Sequence, residues 1–266
     1  MKISLAVVTF SHSDENHEVM NSPLCKSFKK FNPDKEIFHH HFNRGRNHQL
    51  ESQQWRMFGK GLEHQIQSQT EFITYRIDLW REKLREMDTD YIISCDTNDV
   101  VCLGNIDRLV DMFDLDNHII FGHEKNTWPT QEMKSTWENY QDYQGHDLDE
   151  KKFLNAGMIL ARKDKYIELL DSVMNNVLSK EFNTVSGDQG AFTYYYNSNL
   201  NPQIKLDYNN KFGLNTFTRS HDEYFLENGR LVSKKHGTSP LFIHDNGWNH
   251  GSPRFAHHFN LTSLYE

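Results

Sequence analysis

Seven short apolar segments, each running into a polar turn or an amphipathic stretch, set the architecture open to this chain. They are Ile3–Thr9, Glu36–His40, Tyr91–Cys95, His118–Phe121, Ala156–Ala161, Gln203–Leu206 and Leu241–Ile243. Their β-branched and aromatic content suits strands. Between them lie helical patterns. Ile73, Ile77, Trp80, Leu84 and Met87 recur at spacings of 4, 3, 4 and 3, one stripe of a helix over 73–87. Ile167, Leu170, Met174 and Val177 make a second stripe, and a third helix is expected from about Asp188 through Tyr194-Tyr195-Tyr196, with Asp188 a natural cap. Strands alternating with helices predict an α/β fold. No repeat or low-complexity linker divides the chain, so a single domain over 1–266 is expected, interrupted by a polar insertion or loop at about 43–70.

Composition narrows the function classes. Hydrophobic residues at 36% and aromatics at 13% supply a core and exclude global disorder. No apolar run approaches the roughly 20 residues that span a bilayer. The apolar start, Ile3 to Phe10, lacks a small-residue cleavage site and reads as a first buried strand rather than a signal peptide. Cys25, Cys95 and Cys102 form no CxxC pair, so they are expected as core residues in a reducing, cytoplasmic setting. Net charge is −8, yet Lys26–Lys60 carries eight basic residues against Asp34, Glu36 and Glu51. That stretch reads either as a solvated face or as a surface for an anionic partner. His39-His40-His41 cannot all face one ion in a strand, because neighbours point to opposite sides.

The chemistry concentrates where apolar strands end. Tyr91–Cys95 runs directly into Asp96-Thr97-Asn98-Asp99. Ligands gather at strand ends in open α/β sheets, and two carboxylates there repel a diphosphate unless a divalent cation bridges them. Oxygen ligands suit Mg2+ or Mn2+. The strand Leu241–Ile243 delivers His244 ahead of Asp245-Asn246-Gly247 in the same way, and a neutral imidazole can complete such a site. Leu154-Asn155-Ala156-Gly157 places small residues where a strand approaches a ligand. At Gly187-Asp188-Gln189-Gly190, polar groups able to bond sugar hydroxyls stand at a helix start.

Taken in order, Asp96-x-x-Asp99-Val100, Trp128-Pro129, Phe153-Leu154-Asn155-Ala156-Gly157, Asp188-Gln189, Leu206-Asp207 and Ile243-His244-x-Asn246-Gly247 resemble the glycosyltransferase domain of procollagen lysyl hydroxylases. The third and fourth also resemble glycogenin-like retaining transferases of the same GT-A fold, a Rossmann-like mixed sheet flanked by helices. The resemblance implies transfer of a hexose or similar sugar from a nucleotide sugar, with UDP expected, to an acceptor hydroxyl with retention. It implies Asp96, Asp99 and His244 as ligands of Mn2+ or Mg2+, with Asp96 also at the donor ribose. Val7, Thr9 and Phe10 would frame the base, and Asn246 and Gly247 would also contact the donor. Arg76 would face the phosphates, and Arg76, Asn155 and Asp188 would form the catalytic set. Asn155, Asp188 and Gln189 would hold the sugar, and Trp128 would line the sugar or acceptor site. Three departures stand out: one carboxylate, Asp188, where the family has an acidic cluster; Thr127 ahead of Trp128-Pro129; and Asp245 where the family has glycine, which is expected to bring a further carboxylate toward the metal or the acceptor among the substrate-binding residues.

The acceptor stays open between a protein or glycan hydroxyl and a hydroxymethylated, possibly glycosylated, DNA base, the latter suggested by the basic stretch. Two other functions fit the same aspartates: a non-catalytic nucleotide-sugar or metal-binding module, and a metal-dependent phosphohydrolase.

Overall fold

The structure, a computed structural model, describes residues 2–11, 19–43, 62–124, 153–179, 187–198, 203–217, 219–246 and 254–265. Its strands are β1 (Ile3–Ser11), β2 (Ile37–Asn43), β3 (Tyr91–Cys95), β4 (Val100–Cys102), β5 (Ile119–His123), β6 (Leu154–Arg162), β7 (Ile204–Leu206), β8 (Gly213–Asn215), β9 (Tyr224–Glu227), β10 (Arg230–Ser233) and β11 (Phe242–His244). Six of them form the main sheet in the order β2-β1-β3-β6-β5-β7. The pairings β1–β2, β1–β3 and β5–β7 are parallel, whereas β6 runs antiparallel to both β3 and β5. The carboxyl ends of β1, β3 and β5 therefore emerge on one edge. A second sheet, β4-β11-β8, stands at that edge, with β11 antiparallel to β4 and parallel to β8.

Alternation along the strands divides the core. On β3, Ile92 joins one cluster and Ile93 the other; on β6, Ile159 and Ala161 face one way and Met158 and Leu160 the other. The first face is covered by helices α2 (Leu62–Glu86), α4 (Lys163–Val173) and α5 (Gly187–Asn197), the second by α1 (Pro23–Phe31) and a short helix α3 (Leu109–Met112). Helix α1 starts where Ser22 accepts from the Cys25 N–H and Pro23 takes the first turn. Asn32 then stitches its end to the neighbouring loop: its amide donates to the Phe28 and Gly104 carbonyls and accepts from Ile106 N–H.

The stripe read over 73–87 is the buried face of α2: Ile73, Ile77, Trp80 and Leu84 are all buried. The helix begins at Leu62, however, so the stretch expected as loop to residue 70 is partly helical. Glu63, Gln65, Gln67 and Gln69 are good helix formers that carry no apolar period, so the stripe alone could not locate the start. The predicted strands are present with ends shifted by up to three residues. Four strands of three or four residues, β4, β8, β9 and β10, went unread because so few residues show no period. Cys25, Cys95 and Cys102 are free and buried, as expected. No helix among the described residues is long and apolar enough to cross a membrane.

Candidate active site

Three backbone segments converge at the junction of the two sheets. Asp96 follows β3 directly, and its N–H bonds the Gly157 carbonyl at 3.0 Å. Asp99 precedes β4, and its backbone carbonyl accepts from Asp245 N–H at 2.7 Å. His244 ends β11, buried to 2% exposure. One donor atom from each of Asp96, Asp99 and His244 lies within 4.8 Å of the others. The imidazole Nε2 stands 3.5 Å from Asp96 Oδ2 and 3.4 Å from Asp99 Oδ2.

The other face of the ring explains what belongs between them. His244 Nδ1 is 2.8 Å from Asn215 Oδ1 and 3.2 Å from Asn155 Oδ1. Both amides have their NH2 committed elsewhere. Asn215 donates to the His123 carbonyl at 3.1 Å, and Asn155 to Glu124 Oε1 and Gln189 Oε1. Their oxygens thus face the ring, and Nδ1 carries the hydrogen. In a neutral imidazole that leaves the Nε2 lone pair aimed at two carboxylates, acceptors with no donor among them. A second proton or a cation satisfies this arrangement. Without a cation, burial opposes charging of His244, but Asp99, then Asp96 and Glu124, outweigh it and hold the imidazole protonated up to about 9. Burial pushes the Asp96 carboxyl up to about 6, with His244 opposing and Asp99 adding to the rise. Two carboxylates and an imidazole whose second nitrogen is fixed by amide acceptors are a donor set and bracing able to hold a divalent cation.

Space for this cluster comes from Gly157. A Cβ there would lie 2.2 Å from His244 Cε1 and 2.7 Å from Asp96 Oδ2. Gly157 sits in a register shift of β6 against β5, between the pairs Phe121–Ile159 and Gly122–Asn155. The shift turns Asn155 toward His244, and Gly122 leaves room for Asn215, whose Nδ2 a Cβ would meet at 2.6 Å.

Beside the cluster a cleft is lined by Arg76, Ser94, Asp96, Ala156, Tyr166 and Asp188. Arg76, from α2, pairs with Asp188, from α5, at 3.2 Å. Asp188 lies within the first turn rather than capping it, and its Oδ1 accepts from the next residue's N–H.

The sequence pattern of the PLOD GT domain matches residues 36–252. The chain belongs to that family. This glycosyltransferase has the GT-A fold, a mixed central sheet flanked by helices. It is similar over 97% of its length, with 12% identity and a TM-score of 0.51, to 99% of a glycosyltransferase involved in the glycosylation of the major capsid of PBCV-1. It is similar over 92% of its length, with 12% identity and a TM-score of 0.48, to 98% of mouse xyloside xylosyltransferase 1. No curated protein matches it.

Several residues expected at the substrate stand differently in the transferase. Asn155 is 3% exposed and spends its amide on His244, Glu124, Gln189 and the Gly157 N–H, so it braces the site rather than reaching into the cleft. Gln189 Oε1 is taken by the Ala156 N–H and Asn155. Asp245 gives one oxygen to Thr216 Oγ1 at 2.7 Å and the other to Phe255 N–H at 2.6 Å, tying loops together where an approach to the acceptor was expected. Val7 is wholly buried in the second core cluster rather than set against a base. Asn246 bonds Glu124 and the Phe217 N–H. Trp128, Gly247 and the side chains of Thr9 and Phe10 lie outside the described residues. In the basic stretch, Lys29 and Lys30 bond carbonyls of Lys35 and Ser263, and Lys35 pairs with Asp107, so these three serve the fold.

Two residues escaped the sequence reading. Glu124, 3% exposed, accepts from both Asn155 and Asn246, and burial pushes its carboxyl up to about 7. It directly follows β5, so the rule that found Asp96 and His244 applies to it as well. Asn215 ends a strand of three residues and left no comparable signal.

Proposed function

We propose that residues 1–266 form one GT-A transferase domain that moves a hexose from a UDP-sugar to an acceptor hydroxyl with retention of configuration. Asp96, Asp99 and His244 would hold Mn2+ or Mg2+. The observation that carries this reading is the His244 ring, with Nδ1 fixed by two amide oxygens and Nε2 directed at two carboxylates. A divalent cation there supplies positive charge to a departing diphosphate. Arg76, at the cleft wall, adds a guanidinium on the same side, where negative charge grows as the glycosidic bond breaks. Asp188, ion-paired to Arg76, offers a carboxylate toward a sugar that gains positive character at its anomeric carbon. The acceptor is either a protein or glycan hydroxyl or a DNA base; of the basic stretch, Lys29, Lys30 and Lys35 are engaged within the fold.

A panel of nucleotide sugars with Mn2+, scored for donor hydrolysis and thermal shift, tests the reading. A UDP-sugar should give a response that chelation removes, and Asp99→Ala and His244→Ala should each abolish it in a folded protein. Activity surviving both would reject the ligand set, and phosphate release indifferent to the sugar would point to a phosphohydrolase.

A further inference from the structure

The small sheet has two ends. At one, Asp99 and His244 meet; at the other, Leu103 and Leu241 border a cavity of about 350 Å3. Leu241 lies three residues before His244 on the same segment, roughly 10 Å along an extended chain, and none of the cleft residues lines this cavity. Its walls are apolar: Leu103, Leu231, Leu241, Leu261, Leu264 and Phe31. Leu231, Leu241 and Leu261 are buried within the fold, so the interior is formed by the core itself. Arg108 and Arg230 also border it, and neither has an ion-pair partner among the described residues, in a chain of net charge −8. The hairpin turn at Asn228-Gly229, with φ of 50° and 75°, sets Arg230 at the start of β10, opposite Glu227 in the β9–β10 ladder. The opposite wall is tied down by Lys30 Nζ bonding the Ser263 carbonyl at 2.7 Å.

The volume falls in the range of small-molecule pockets. An apolar interior with two guanidinium groups at its border, neither in an ion pair among the described residues, selects a body without charge and a head with negative charge. We propose that this cavity is a second binding site, separate from the transfer centre, for a small amphipathic carboxylate. The apolar body sits among the leucines and the carboxylate lies against Arg108 and Arg230.

Titration of the full chain with 4-phenylbutyrate, by calorimetry and ligand-observed NMR, tests this against 4-phenylbutanol and 4-phenylbutylamine. The acid should bind saturably at one site, with the alcohol and the amine at least about tenfold weaker. The double variant Arg108→Gln/Arg230→Gln changes two exposed side chains, so it should fold normally, keep donor hydrolysis and lose about tenfold in affinity for the acid. Ser239→Phe, on the cavity lining, should block the acid in a protein whose melting temperature is checked. The proposal is overturned if the alcohol binds as well as the acid, if the double variant binds the acid unchanged, or if no saturable binding occurs. It is also overturned if sedimentation shows a dimer that the double variant dissociates, which would give the cavity to a second copy of the chain.

Discussion

On one side of the candidate site, His244 exposes 2% of its surface, ends a strand in a three-stranded sheet and has one ring nitrogen held by two amide oxygens. On the other, Arg76 and Asp188 project from helices, each about a quarter exposed, and meet across 3.2 Å. The first arrangement is fixed before any ligand arrives. The second is an ion pair that a ligand's own charges can open at small cost, because partly exposed pairs contribute only ~0–1 kcal/mol. The contrast fits the two tasks proposed here. A cation site gains from rigidity, whereas a wall meeting a departing phosphate and a sugar gains from charges free to change partners.

Among variants that keep all three ligands, the largest effect on cation binding should follow Gly157→Ala. The added methyl falls 2.2 Å from His244 Cε1 and 2.7 Å from Asp96 Oδ2, so two of the three ligands must move. Overpacking of this kind costs about 1–3 kcal/mol of stability. Mn2+-dependent donor hydrolysis should drop by ~100-fold or more, since ~1 Å of misplacement already costs that much. Calorimetry with Mn2+ and a thermal melt check both, and near wild-type Mn2+ affinity would show the cluster to be softer than argued. Asn215→Ala should come next. It removes the nearer acceptor for Nδ1 and leaves every ligand atom present, so Mn2+ affinity should fall by ~10–100-fold.

The same contrast sets what the sequence could reveal. Asp96 and His244 were legible because each stands at the end of an apolar strand visible in a line of residues, and Asp99 because it follows Asp96 by three residues. Their bracing was not. Asn215 reaches His244 only because β8 lies beside β11, and Glu124 reaches Asn155 only across the shifted register of β5 and β6. Such neighbours are products of strand order, which no local pattern carries. Asn155, Gln189 and Asp245 show the converse: each was visible as a polar residue in a motif, yet the fold uses their hydrogen bonds internally. Likewise, β4 and β8 have three residues each, too few for alternation to be read, although they position Asp99 and Asn215.

A further effect should appear with pH. Without a cation, His244 keeps its proton up to about 9 against an ordinary value of 6.5. A raised folded value contributes stability that is complete below 6.5 and lost as pH climbs through 9. Chelator-treated protein should therefore melt at progressively lower temperature across that window. Cation and proton compete for Nε2, so Mn2+ affinity should rise with pH by about tenfold per unit over the same interval and release about one proton per ion. Below about 6, where Asp96 also takes a proton, the dependence should steepen. An affinity flat between pH 6.5 and 9 would mean that His244 does not coordinate.

The smallest effect on the cation should come from Asp188→Asn. The substitution removes the carboxylate facing Arg76 while leaving Asp96, Asp99 and His244 untouched. Mn2+ affinity should stay within about a factor of 3, and stability should change by less than about 1 kcal/mol, as for other partly exposed pairs. Sugar transfer should nevertheless fall by ~10-fold or more, in kcat rather than in donor KM, if the carboxylate acts as the sugar gains positive charge. The comparison with Asn215→Ala is then direct, since one variant weakens the cation with the cleft wall intact and the other does the reverse. Should Asp188→Asn weaken Mn2+ as much as Asn215→Ala does, the two sides of the cleft are one coupled unit, and the Arg76–Asp188 pair belongs to the scaffold of the cation site.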